Sequence, residues 1–128
     1  MGVTHHLRHF RDKRVEVRRE AFSDAALSAL IAENDVLLAP YTSATQSGVV
    51  AQALAFGRPC VVTPVGALPE QIGHGAAGWI ASAATPAAFA DAIVAALMPN
   101  AITQKSAGAR LKARAGWDES YWDWLAAP

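Results

Sequence analysis

Apolar residues change their period repeatedly along this chain. Short continuous apolar runs alternate with segments in which apolar positions recur every three or four residues, the pattern of strands followed by helices. Residues 15–18 alternate apolar and charged side chains, which predicts a short strand. Leu27, Leu30 and Ile31 then fall on one helical face. Ser23 is suited to cap that helix, and Asp24 complements its positive end. Asn34 and Asp35 end it, and the unbroken run Val36-Leu37-Leu38-Ala39 predicts a strand covered on both faces. Residues 46–56 predict the next helix, with Val49, Val50, Ala53 and Leu54 as its buried stripe. Thr45, Gly48 and Gln52 share a different face of it. Gly57 is placed as the left-handed residue beyond its end, and Pro59 follows where a helix could not continue.

Residues 60–63 predict a second strand, and residues 64–78 form a long turn-rich segment with Gly66, Pro69, Gly73, Gly75 and Gly78. A short strand follows at residues 79–81. Thr85 caps a further helix with Pro86 at its first position, and Phe89, Ala92, Ile93, Ala96 and Leu97 are expected to face inward. A basic helix is predicted at residues 101–115 and an aromatic one at residues 117–125. Strands alternating with helices argue for a parallel α/β sheet. In such sheets ligands bind beyond the carboxyl ends of the strands. The turn at residues 41–47 lies at such an end and opens a helix, where free backbone amides and the helix dipole favour an anion.

A chain of 128 residues suits one domain, and the reading is a basic lead-in over residues 1–14 and a domain over residues 15–128. Formal net charge is zero, which removes the general reason to expect a nucleic-acid partner. Six of the 11 basic residues lie in the first twenty, and residues 21–104 hold only Arg58. The basic lead-in is read as a solvated segment. Cys60, the one cysteine, has no partner for an internal disulfide and sits in a strand, so it is read as a small apolar filler in a reducing compartment. The N-terminus is rich in His and Arg where a signal peptide would be apolar. The expectation is therefore a cytoplasmic protein, with a peripheral position at the inner membrane kept open. His5, His6 and His9 are closely spaced, but nothing completes a ligand set, so no metal site is expected. His74 reads as an exposed loop residue, Glu70 either as a structural turn or N-cap residue or as a functional one near the cleft, and Trp117, Tyr121, Trp122 and Trp124 as a packing helix. The dinucleotide fingerprint Gly-x-Gly-x-x-Gly and the nucleophile motif Gly-x-Ser-x-Gly are both absent.

The ordered set Asp35-Val36-Leu37-Leu38-Ala39-Pro40, Gln52-Ala53-Leu54-Ala55-Phe56-Gly57, Pro59-Cys60-Val61-Val62, Val65-Gly66-Ala67-Leu68-Pro69-Glu70 and the Gly75/Gly78 step resembles the later part of a GT-B glycosyltransferase C-terminal domain, of the retaining family 4 type. Ser23, Asp24 and Leu27 match the helix preceding the first of these strands, so the resemblance covers roughly residues 15–98. It implies a Rossmann-like parallel sheet with flanking helices. It also implies transfer of a hexosyl unit from a nucleoside diphosphate sugar to a sugar, lipid or polysaccharide acceptor. That donor is a substrate, and no cofactor is expected.

On this resemblance Thr45, Gln46, Ser47, Gly48 and Val49 present amides or side chains to the diphosphate and sugar, and Gln52 faces the ribose. The family often carries two glutamates eight residues apart, where this chain has Ala44 and Gln52. Gln52 keeps an acceptor oxygen but lacks the charge, which predicts weakened donor binding. No residue is assigned a catalytic acid or base role. The resemblance covers only part of the family's two-domain architecture. This leaves a truncated non-catalytic remnant or interaction module, or one half of a split transferase, as the alternative. Partners on this reading are the donor, an N-terminal acceptor domain on another chain, and a second copy covering an unpaired sheet edge.

Overall fold

The computed structural model describes residues 12–115. Helix α1 (Asp24–Ala32) leads into strand β1 (Leu37–Ala39), helix α2 (Gly48–Ala55) and strand β2 (Cys60–Val62). A four-residue helix α3 (Leu68–Gln71) and a 3-10 turn (Gly73–Gly75) precede strand β3 (Gly78–Ile80), and helices α4 (Pro86–Ala96) and α5 (Ala101–Ala115) follow. The three strands form one parallel sheet in the order β1-β2-β3. Leu37 pairs with Cys60 and Ala39 with Val62, while Cys60 pairs with Gly78 and Val62 with Ile80. This is the expected Rossmann-like arrangement, a parallel sheet with flanking helices.

Alternation along the strands divides the core in two. Ala39, Cys60 and Val62 point to one face, where they meet Ile31 of α1, Val50, Ala53 and Leu54 of α2, Leu68 and Ile72, and Ala109 of α5. Val61 points to the other face and packs with Ala81 and with Phe89, Ala92 and Ala96 of α4. Local signals set the helix starts. The Ser23 hydroxyl accepts from the Ala26 amide, and the Thr85 hydroxyl accepts from the Ala88 amide with Pro86 in the first turn. Gly57 has φ +69°, the left-handed conformation that stops α2.

Four expectations are corrected. Residues 15–18 form no strand; Val15 and Val17 are exposed, and Arg14–Asp12 and Arg18–Glu16 ion pairs are the local contacts. An alternating tetrapeptide becomes a strand only where a neighbouring strand accepts its ladder, and among the described residues no strand pairs with it. The first apolar strand is not covered on both faces: Leu38 is 48% exposed, because α4 lies over β2 and β3. Leu97 does not face inward but is 70% exposed, since α4 ends at Ala96 and Leu97 is its cap. The turn-rich segment contains α3, a helix begun at a Leu-Pro step. The helix expected at residues 117–125 lies outside the described residues, as do His5, His6 and His9.

Candidate functional site

Beyond the carboxyl end of β1 the chain runs through Pro40 and Tyr41 into the turn that begins α2. Ser47 is the cap: its backbone is extended and its hydroxyl accepts from the Val50 amide at 3.2 Å. The Ala51 amide donates to the Ser47 carbonyl, the first bond of the helix ladder. Tyr41 Oη lies 3.4 Å from the Ser47 hydroxyl. The amides of Gly48 and Val49 have no acceptor among the described residues, as expected of the first helical turn.

These groups border an open depression of about 540 Å³ lined by Asp24 and Leu27 of α1, Tyr41, Ser43 and Ala44 of the turn, and the first turns of α2. Of the sequence-predicted site residues, Gln46, Ser47, Gly48, Val49 and Gln52 line it. Thr45 does not; it is exposed, and its carbonyl accepts from the Ala67 amide at 2.6 Å. Gln52 is half-buried, and its Nε2 donates to the Ser28 hydroxyl at 2.6 Å. In that orientation its Oε1 remains an acceptor. Gly48 has open space where a Cβ would stand.

Among the described residues no basic side chain lines the depression. Arg58 is at the opposite end of α2, where its guanidinium donates to the Ala32 carbonyl at 2.6 Å. Asp24 brings a carboxylate to the rim, so an anion here would rely on backbone amides and the helix dipole, together worth roughly 0.3–2 kcal/mol. Glu70 is exposed in the first turn of α3, and His74 is exposed with φ +53°. Cys60 is buried in β2, where burial pushes its thiol up to about 12. It packs as a filler and has no access to the depression.

The segment after β2 braces the turn, which the sequence pattern does not reveal. Gln71 is half-buried and bonds to the backbone of Ser47 twice: Ser47 N–H donates to its Oε1 at 2.9 Å, and its Nε2 donates to the Ser47 carbonyl at 3.0 Å. Gly66 has φ +53°, and a Cβ there would stand 1.8 Å from the Ala44 carbonyl oxygen. The Thr63 hydroxyl donates to the Tyr41 carbonyl, fastening the end of β2 to the end of β1. Gln71 and Ser47 are 24 positions apart, beyond the reach of local periodicity. Among the described residues no group of three or more His, Cys, Asp or Glu could hold a metal ion.

A family model described as glycosyl transferases group 1 matches residues 3–98, well over half of the chain. The matched span contains the sheet, the turn and the depression beside it. Among curated proteins, none matches the chain.

Proposed function

Because this chain belongs to the group 1 glycosyltransferases, we propose that residues 41–52 bind the nucleoside diphosphate sugar from which a hexosyl unit is transferred. In this reading the domain is the later part of a GT-B C-terminal domain of the retaining family 4 type. The observation that carries it is the first turn of α2. Unpaired Gly48 and Val49 amides open onto a depression at the carboxyl edge of the sheet, inside the matched span.

The donor diphosphate lies against those amides, with Gln46 and the Ser47 cap beside it. Gln52 offers its Oε1 to a ribose hydroxyl from one turn further along the helix. Thr45 acts through its backbone, by holding the turn to residue 67. Binding is weak, because among the described residues the dipole and amides act without a cation and Asp24 opposes the anion. Chemistry of this type rests on positioning and on stabilising the departing diphosphate, and no acid or base is assigned. The acceptor is a sugar, lipid or polysaccharide, held by a second domain.

A second reading has its own observation. The outer edge of β1 has no partner among the described residues, and Leu38 beside it is half exposed. Together with Ala44 and Gln52 in place of acidic residues, this favours a non-catalytic remnant or interaction module, or a split transferase whose other part covers the edge.

Gly48→Asp tests the donor site. The new carboxylate enters open space at the first helical position, where a negative charge stabilises a helix by about 0.3–1 kcal/mol. The same charge repels a diphosphate. The expected outcome is unchanged or raised thermal stability with loss of UDP or GDP binding by calorimetry. Equal nucleotide affinity in the variant would refute the placement.

A further inference from the structure

We infer that Gln71 is a positioning residue for the donor diphosphate, acting through the backbone of Ser47; this rests on the donor-site reading above. The Ser47 carbonyl and the Gly48 amide belong to one planar peptide and point in opposite directions along it. Gln71 Nε2 holds the carbonyl end at 3.0 Å, and the other end is the unpaired amide that faces the depression. The Ala51 amide holds the same carbonyl from within the helix. The direction of the Gly48 N–H is thus set from both sides before any ligand arrives.

The second bond has a separate consequence. By accepting from Ser47 N–H at 2.9 Å, Gln71 Oε1 occupies that amide. Val50 N–H is occupied by the Ser47 hydroxyl. Of the four amides of residues 47–50, those of Gly48 and Val49 are left, in sequence, without an acceptor among the described residues. A polarised carbonyl also strengthens the amide at the far end of its peptide as a donor. The carrier of Gln71 is itself fixed: Gly66 meets the Ala44 carbonyl, and the Ala67 amide donates to Thr45. Residues 66–71 therefore clamp residues 44–47 at three points, and Gln71 is the one nearest the ligand amides.

The test uses the full chain. Gln71→Met keeps the length of the side chain but removes the donor and the acceptor of both bonds. UDP, UMP, GDP and GMP are titrated into wild type and variant. The inference expects the gain from the second phosphate, read as the UDP to UMP and GDP to GMP affinity ratios, to fall about tenfold in the variant. A purely structural role would lower all four affinities together. Unchanged ratios with nucleotide still bound would overturn the role of Gln71 and leave the donor site standing. Failure of the wild type to bind any of the four would overturn the donor site and this inference with it.

Amide hydrogen exchange on the wild type supplies a measurement that needs no variant. Ser47 N–H is expected to exchange slowly without ligand, whereas Gly48 and Val49 slow only when the diphosphate is added. Fast exchange at Ser47 in the ligand-free protein would overturn the inference.

Discussion

At Gly66 the backbone of one loop meets the backbone of another, and only a missing side chain permits it. Gly66→Ala puts a methyl against the Ala44 carbonyl in a left-handed conformation that already disfavours alanine by about 1–2 kcal/mol. A loss of at least about 2 kcal/mol in urea unfolding is expected. Ser47→Ala removes the cap and should cost about 1 kcal/mol. Cys60 gives a pH signature. An unfolded thiol ionises near about pH 8.5, but the buried Cys60 keeps its proton to about 12. The folded form then holds a proton that the unfolded form gives up. This contribution is fully present below about pH 8.5 and is lost as pH rises from there towards 12. The stability difference between wild type and Cys60→Ala should therefore shrink above about pH 8.5, measured as urea midpoints along a pH series. A difference that grows with pH would contradict the burial.

At the scale of elements, the helices were legible wherever their signals are local. Ser23 and Thr85 cap the helices they precede, and Gly57 ends α2 in the left-handed conformation. Thr85→Ala should cost about 1 kcal/mol in thermal or urea unfolding. Strands were legible when continuously apolar and buried, as in Cys60–Val62. Residues 15–18 mimic a strand by alternation, but pairing depends on a neighbour that four residues cannot announce. Leu97 keeps the helical spacing of the inward residues and still faces out, because the helix stops one residue earlier. Helix α3 is hidden by its proline and by the glycines around it. Of the site, the turn and the start of α2 were legible as a strand delivering onto a helix. The pair of hydrogen bonds from Gln71 was not, because it joins the end of α3 to the cap of α2, segments 24 positions apart that follow the paired strands β2 and β1.

Across the whole molecule, the two faces of the sheet are unequally covered. Helices α1, α2 and α5 cover one face, while α4 covers β2 and β3 on the other and leaves Leu38 half exposed beside an edge that is unpaired among the described residues. An apolar, unpaired edge favours association. The expected outcome is concentration-dependent self-association in sedimentation velocity, reduced by Leu38→Lys. A clean monomer at high concentration would contradict it. No single helix among the described residues is long and apolar enough to cross a membrane. Family membership rests on residues 3–98, and the donor-binding reading rests on a single turn within them. The measurement that tests it most directly is a two-dimensional amide spectrum of the whole chain titrated with UDP and GDP. The account predicts shifts that begin at Gly48 and Val49 and stay within residues 45–52. A folded spectrum that responds to neither nucleotide would contradict it.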